Sequence, residues 1–119
     1  MQINEIGLYT SDVIGMAKFY RALFKIENES NEAENDDVIQ FIGTEGNGVT
    51  IYNDGIVRKE NHQNICLAIT VDDVDFEYER LLSLDVKITE PPTIRPWGAK
   101  NMIFSDPEGN QLIFRSIPK

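Results

Sequence analysis

The chain has 119 residues and a formal net charge of −9, with hydrophobic residues making up 41% and aromatic residues 9% of the sequence. This length suits a single domain with one core, and the hydrophobic share excludes a disordered chain. The negative charge disfavours nucleic acid and anionic membrane as partners, because either polyanion would be repelled and would meet no basic stripe.

The first half of the sequence predicts a strand, a helix and further strands. Ile3 to Tyr9 has the pattern of a short strand. A helix follows, capped by Ser11 or Asp12 and ending near Phe24. Its apolar residues recur at helical spacing, at Val13, Met16, Ala17, Tyr20, Leu23 and Phe24. The acidic stretch Glu27 to Asp37 is interpreted as a solvated strand edge or a loop.

Two more strands complete this half, at Val38 to Ile42 and at Val49 to Tyr52, joined through Gly43 to Gly48. The resulting order is βαβββ.

The second half repeats the order from Asn64 onward. A strand at Ile65 to Val71 precedes a helix that is capped by Asp72 or Asp73 and ends at about Leu84. The apolar stripe of this helix is formed by Val74, Tyr78, Leu81 and Leu82. Three short strands are then predicted at Val86 to Ile88, Asn101 to Phe104 and Gln111 to Arg115, the last two joined by a turn at Asp106 to Asn110.

A shift of the sequence by 61 positions aligns Leu8 with Ile69 and Glu5 with Cys66, and it superimposes the two helix starts. Consistent order with weak identity is typical of an old internal duplication. We therefore predict one domain, residues 1–119, with module one at about 1–55, a linker at about 56–63 and module two at about 64–119.

Neither export nor membrane insertion is indicated by the sequence. No cationic segment followed by an apolar run occurs near Met1, and no run of about 18 apolar residues occurs anywhere. Cys66 is the single cysteine, which excludes an intramolecular disulfide and fits a reducing compartment. A cytoplasmic protein without a membrane partner is expected.

Three passages, taken in order and spacing, carry a family resemblance. They are Gly7 to Asp12 followed by Phe19-Tyr20, then Ala68 to Val74, and finally Trp97-Gly98 leading into Asp106 to Asn110. Together they resemble the vicinal oxygen chelate superfamily of glyoxalase I, bleomycin-resistance proteins and extradiol dioxygenases. The resemblance implies an α+β fold in which two tandem βαβββ modules form an open, incomplete eight-stranded barrel around a functional cleft.

One residue departs from the pattern of that family. Lys25 stands where the family usually closes the first helix with a glycine in the left-handed conformation. The departure concerns only the local turn.

In metal-dependent members of the family, the cleft holds a divalent ion, and the resemblance carries its four ligand positions onto Glu5, Thr50, Cys66 and Ile113. Glu5 is a good oxygen ligand, whereas Thr50 is a weak donor and Ile113 cannot donate at all. A carboxylate and a thiol do not complete a coordination shell. His62 lies about 13 Å from Cys66 in an extended chain and cannot substitute. We therefore expect no metal cofactor.

Inward-facing side chains are expected to build an apolar pocket of the kind that binds small organic ligands. Phe104 should lie opposite Ile113 across the last hairpin, and Tyr52 should share the face of Thr50. The predicted ligand-binding set comprises Glu5, Phe41, Thr50, Tyr52, Cys66, Trp97, Met102, Phe104, Ile113 and Arg115.

Four of these residues keep two interpretations. Cys66 is either a small buried hydrophobe or a reactive thiol, and Glu5 is either a surface or ion-paired residue or the polar anchor and general base of the cleft. Arg115 shares the face of Ile113, so it either binds a ligand carboxylate or neutralises Glu5. Trp97 either stacks on a planar ligand or belongs to the core.

Two classes of function follow. One is a metal-independent module that binds a small, partly aromatic molecule, as in resistance or sequestration. The other is a lyase, isomerase or dioxygenase with an atypical metal site that uses Glu5 as base or ligand. A homodimer is expected in either case, since open sheet edges favour pairing.

Overall fold

The computed structural model describes residues 6–26, 40–44, 47–53, 55–56 and 65–117. The chain divides into two compact units, Met1–Lys59 and Glu60–Lys119. The boundary between them falls within the predicted linker. Each unit is described by itself below.

The first unit packs one helix on a three-stranded sheet. Its elements are β1 (Ile6–Tyr9), α1 (Val13–Phe24), β2 (Gln40–Thr44) and β3 (Asn47–Tyr52). The strand order is β1-β3-β2, with β1 parallel and β2 antiparallel to β3. Helix α1 contacts β2 and β3, and the core combines buried residues of the strands and the helix, namely Leu8, Ile42, Val49, Ile51, Val13, Met16, Ala17, Tyr20 and Leu23.

The second unit packs one helix on a four-stranded sheet. Its elements are β4 (Cys66–Thr70), α2 (Val74–Ser83), β5 (Lys87–Ile94), β6 (Lys100–Ser105) and β7 (Gln111–Ser116). The strand order is β4-β7-β6-β5, with β4 parallel to β7 and the other neighbours antiparallel. Helix α2 contacts β5, β6 and β7, and the core contains Val74, Leu81, Met102, Phe104, Leu112 and Phe114.

The predicted α+β fold class with tandem βαβββ modules is confirmed. The second unit shows the whole order, and the first shows it as far as it is described, since the predictions for Glu27 to Asp37 and for Val38 fall outside the described residues. Within the described part of the chain neither sheet closes on itself. Neither helix there is long and apolar enough to cross a membrane.

The two units also repeat individual hydrogen bonds. The N–H group that follows the leading strand donates to the last strand in each unit, from Thr10 to Tyr52 over 2.9 Å and from Val71 to Arg115 over 2.8 Å. Positions 10 and 71 are 61 apart, the same shift that aligns the sequence with itself. The duplication therefore extends to the backbone register.

Both helices begin as predicted at an aspartate cap. The Asp12 Oδ1 atom accepts from the Gly15 N–H at 2.9 Å, and the Asp73 Oδ1 atom accepts from the N–H groups of Asp75 at 3.0 Å and Phe76 at 3.3 Å. Each carboxylate satisfies amides that the first helical turn leaves without an intrahelical partner.

Two details of the second unit differ from prediction. Strand β5 runs through Pro91 and Pro92, well beyond Val86 to Ile88, because it lies at the sheet edge, where a proline without an N–H removes no ladder hydrogen bond. On α2, Leu82 is 43% exposed, whereas Glu77 is buried. Glu77 is tolerated there because Arg80 Nε donates to it over 2.7 Å.

Helix α1 ends without the glycine that its geometry favours. Lys25 has a φ of 60° in the left-handed region, its N–H donates to the Ala22 carbonyl, and the next N–H, of Ile26, donates to the Arg21 carbonyl over 2.9 Å. These two bonds form a Schellman motif. A residue with a Cβ atom is strained in this conformation.

We predict that Lys25→Gly raises the free energy of unfolding by about 0.5–1 kcal/mol, because glycine adopts a positive φ without the steric cost of a Cβ atom. Chemical denaturation measures the change. Lys25→Ala is the control, since it removes the same side chain and keeps the Cβ atom. Equal stability of the glycine and alanine variants would contradict the prediction.

The predicted turn at Asp106 to Asn110 joins β6 to β7 as expected. The buried Asp106 carboxylate accepts from the N–H groups of Glu108 and Asn110, both at 2.9 Å, and from Asn110 Nδ2 at 2.7 Å. Gly109 supplies the positive φ of 86° that the turn requires. This network closes the hairpin with Ser105 paired to Gln111.

Asp106→Ala should lower the free energy of unfolding by about 2–4 kcal/mol, because three partly buried hydrogen bonds lose their charged acceptor. Asp106→Asn retains one acceptor oxygen and should lose less. Thermal and urea unfolding of both variants compare the losses. A loss below about 0.5 kcal/mol in the alanine variant would show that the turn does not depend on this carboxylate.

Candidate functional site

Each sheet has one face covered by its helix and one face turned away from it, which we call the open face. Side chains alternate along a strand, and Leu8, Val49 and Ile51 are buried with α1. The open face of the first unit therefore carries Gly7, Tyr9, Thr50 and Tyr52. Phe41 pairs with Thr50 in the register.

Two tyrosines form an aromatic platform on this face. Tyr9 pairs with Tyr52 in the register, and their rings stack with centroids 5.5 Å apart at 28°. Tyr9 is 47% exposed. A Cβ atom at Gly7 would lie 3.0 Å from Cε2 of Tyr52, so glycine leaves the space that the ring occupies. Stacked, partly exposed rings are suited to contact a planar molecule.

Thr50 presents a buried hydroxyl that has no partner among the described residues. The residue is 4% exposed, and within the described part of the chain no group forms a hydrogen bond with its Oγ1 atom. An unsatisfied buried hydroxyl costs about 1–3 kcal/mol, so such groups are uncommon unless a ligand or water pairs with them.

The open face of the second unit has an apolar centre. Ile113 pairs with Ala68 on β4 and with Ile103 on β6, and Ile103 pairs with Glu90 on β5. Ala68 is exposed and the two isoleucines are half-buried. These residues offer a surface for the body of an organic ligand.

The prediction that Phe104 faces Ile113 is wrong. The turn network makes Ser105 and Gln111 the closing pair, so Phe104 pairs with Leu112 and Met102 with Phe114. All four are buried on the side of α2, and the rings of Phe104 and Phe114 meet edge to face at 4.8 Å. Met102 and Phe104 therefore lie on the opposite face from Ile113 and belong to the core of this unit.

The family's metal positions do not provide a suitable set of ligands. Glu5 lies outside the described residues, Thr50 is a neutral donor, and Ile113 has no donor atom. Thr50 and Ile113 are equivalent in the two units, since their partners Gly7 and Ala68 are 61 positions apart. No cluster of three or more His, Cys, Asp or Glu side chains able to hold a metal occurs among the described residues. These residues do not fit a divalent ion.

Cys66 and Trp97 are not core residues. Cys66 opens β4 and is exposed, so its interpretation as a buried hydrophobe is wrong. Trp97 lies in the turn between β5 and β6 and is 70% exposed, which excludes the core interpretation. Contact between Trp97 and a ligand stays a prediction.

Arg115 lies on the open face, in register with Thr70 and Asn101. The Asn101 Oδ1 atom is buried, and among the described residues it has no hydrogen-bond partner. Tyr9, Thr70 and Asn101 were absent from the predicted site. The alternation that placed Tyr52 beside Thr50 would have found Tyr9, but Asn101 required the register of β6 with β7.

A second charged group borders the apolar centre. Glu90 forms an ion pair with Arg95, with Oε1 and Nη2 2.8 Å apart. The hydrogen bond from Arg95 lowers the pKa of the Glu90 carboxyl, assisted by a hydrogen bond from Thr93, while desolvation opposes the shift. Glu90 is therefore ionised and already compensated at neutral pH.

We expect Arg95→Gln to raise the pKa of Glu90 toward the ordinary carboxyl range, and Thr93→Val to raise it less. Carboxyl chemical shifts in an NMR titration measure both. A lowered pKa in the folded state stabilises the protein above the unfolded pKa, and this contribution disappears as pH falls through the folded pKa. Arg95→Gln should therefore weaken the dependence of stability on acid pH; an unchanged Glu90 pKa would contradict the assigned cause.

Comparisons with known proteins give matches over nearly the whole chain. The model of one protein family, described as "Glyoxalase/Bleomycin resistance protein/Dioxygenase superfamily", matches residues 2–114. A sequence search of curated proteins found no match.

Solved structures share the fold at low identity. A glyoxalase/bleomycin resistance protein/dioxygenase family enzyme from Burkholderia phytofirmans PsJN superimposes with a TM-score of 0.82 at 15% identity, covering 99% of this chain and 100% of that one. Lactoylglutathione lyase from Agrobacterium tumefaciens gives a TM-score of 0.71 at 20% identity, over 96% and 92%. TioX from Micromonospora sp. ML1 gives 0.67 at 18% identity, over 99% and 100%. At these identities the structural similarity establishes the fold alone.

Proposed function

The chain belongs to the glyoxalase/bleomycin resistance protein/dioxygenase superfamily, and we propose that it binds a small, partly aromatic organic molecule without a metal ion. Ile113 carries this proposal. At a position that the family resemblance assigns to a metal ligand, an aliphatic side chain lies between Ala68 and Ile103 and offers contact area in place of a donor atom. Such a surface binds the apolar part of an organic molecule.

The first unit supports the same function. The stacked rings of Tyr9 and Tyr52 offer a platform for a planar group. The Thr50 hydroxyl, buried and without a partner among the described residues, is suited to a hydrogen bond from or to a ligand. A ligand that makes this bond would remove the cost of the unsatisfied hydroxyl.

Metal independence is tested with chelator-treated protein. A set of one-ring and two-ring aromatic compounds is screened by protein-detected NMR, with EDTA and with added Zn²⁺, Ni²⁺ or Mn²⁺. We expect at least one ligand whose affinity is the same in all conditions, and a metal content far below one ion per chain. Stoichiometric metal whose removal abolishes binding would overturn the proposal.

The Thr50 hydroxyl is tested by Thr50→Val, which keeps the shape and removes the polar atom. In the free protein we expect unchanged or higher stability, because an unsatisfied buried group disappears. For a ligand that pairs with the hydroxyl we expect an affinity loss of about five- to tenfold. Thr50→Ser keeps the hydroxyl and serves as the control. A marked loss of stability in the valine variant would show that the hydroxyl is bonded within the protein.

An enzymatic alternative is supported by the family match, because the description of the family includes glyoxalases and dioxygenases. In this alternative Glu5 acts as base or ligand in a lyase, isomerase or dioxygenase reaction. Turnover of a hemithioacetal or a catechol by metal-supplemented protein, lost in Glu5→Gln, would establish it in place of pure binding.

We further propose a homodimer and a cytoplasmic location. The outer edge of β4, unpaired within its sheet, supports pairing with a second chain, and the single cysteine fits a reducing compartment. Light scattering tests the first of these, and a monomer at all concentrations would exclude it.

A further inference from the structure

A polar row crosses the open face of the second sheet next to its apolar centre. Arg115 on β7 pairs with Thr70 on β4 and with Asn101 on β6, and Asn101 pairs with Thr93 on β5. The row lies two residues along the strands from Ile113 and Ile103, about 7 Å away. A single small molecule therefore can touch both rows at once.

The guanidinium of Arg115 is not neutralised by the protein that the structure describes. Arg80, Arg95 and Lys100 form ion pairs with Glu77, Glu90 and Asp75 respectively. Arg115 is half-buried and forms no ion pair among the described residues. The carboxylate on the neighbouring row, Glu90, is 2.8 Å from Arg95 and thus already engaged. A half-buried arginine in this state attracts an external anion.

Asn101 adds a second requirement for the chemistry of a ligand that binds this row. Its Oδ1 atom is buried and lacks a donor within the described part of the chain. Asn101 and Arg115 are directly paired on antiparallel strands, whose paired Cα atoms are about 4.5–5.5 Å apart, so the two residues are neighbours on this face. A molecule that satisfies both groups carries an anionic group and, a bond or two away, an O–H or N–H donor.

We propose that the ligand is an organic carboxylic acid with a hydroxyl or amino group next to its carboxylate and an apolar or aromatic body. Arg115 binds the carboxylate, Asn101 Oδ1 accepts from the neighbouring donor, and the body lies on Ile113 and Ile103. This inference rests on the proposed function and narrows it to one ligand class.

Among the described residues, the open face of the first unit does not carry a polar row at the corresponding place, so the row is a feature of the second unit. Tyr9 and Tyr52 are register partners in the first unit, as Thr70 and Arg115 are in the second, and Tyr9 and Thr70 are 61 positions apart. The two tyrosines therefore occupy the places that Thr70 and Arg115 occupy here. The scaffold accepts an aromatic pair at this place, so it does not require a cation. Arg115 is thus not explained by the fold alone.

Three probes with the same ring separate these contributions: mandelate has the carboxylate and the hydroxyl, phenylacetate lacks the hydroxyl, and mandelamide lacks the charge. Calorimetry and protein-detected NMR on chelator-treated full-length protein measure their affinities. We expect mandelate to bind about fivefold more tightly than phenylacetate and at least about tenfold more tightly than mandelamide. Mandelate should also shift the side-chain amide signals of Asn101.

Substitutions at Arg115 and Asn101 test which group of the ligand each residue contacts. Arg115→Gln should weaken mandelate at least about tenfold and leave mandelamide unchanged, and Arg115→Lys should give an intermediate loss, because it keeps the charge without the bidentate geometry. Asn101→Ala should remove the preference for mandelate over phenylacetate. Lys18→Gln is the control, since it removes one positive charge from an exposed position of α1, in the first unit. Circular dichroism and thermal unfolding verify that each variant is folded.

The outcomes distinguish this inference from the proposed function. Equal binding of mandelate and mandelamide, or equal losses in Arg115→Gln and Lys18→Gln, would overturn the carboxylate assignment while metal-independent binding of an aromatic compound stands. Absence of binding by mandelate and phenylacetate, with neutral aromatic compounds bound, would likewise reject the ligand class alone. Failure of every aromatic compound tested would reject the proposed function as well.

Discussion

The Asp106 carboxylate determines which residues of the second sheet can meet a ligand. By accepting from the Glu108 and Asn110 amides it closes a turn that pairs Ser105 with Gln111. A slip of one residue in a strand moves every side chain to the other face. With this closing pair, Ile113 and Arg115 share the open face, and Phe104 is directed to the helix. The chemistry of the candidate site therefore depends on a turn that contributes no residue to it.

Duplication supplied a scaffold whose two copies have diverged on their open faces. The helix caps and the donors of the closing hydrogen bonds recur at an offset of 61 positions, and the acceptors of those bonds, on the last strands, recur at an offset of 63. On the open faces, by contrast, Thr50 corresponds to Ile113, and Tyr52 corresponds to Arg115. Loss of a residue that carries the backbone geometry costs stability, whereas open-face residues can differ between the units without altering that geometry.

Electrostatics acts on two length scales in this protein. The net charge of −9 repels large polyanions at a distance. Within the second unit, Glu90 forms an ion pair with Arg95, so this carboxylate on the adjoining row is already engaged. A small anion in contact with Arg115 would experience mainly the positive charge of that guanidinium. Salt screens the negative charges elsewhere on the protein over about 8–10 Å.

The helices, their aspartate caps, the α+β class and the Asp106 turn could be predicted from the sequence, because these features depend on neighbouring residues and on short periodicities. The sequence also predicted that Ile113 and Arg115 lie on the same face of the sheet, because residues two apart in a strand share a face. The pairing of Phe104 did not, because it depends on which residues close a turn across two strands. The tertiary structure alone decided that Thr50 Oγ1 and Asn101 Oδ1 lack a partner within the described part of the chain, and that Cys66 and Trp97 are exposed. Burial is a property of what surrounds a residue and not of its neighbours in the chain.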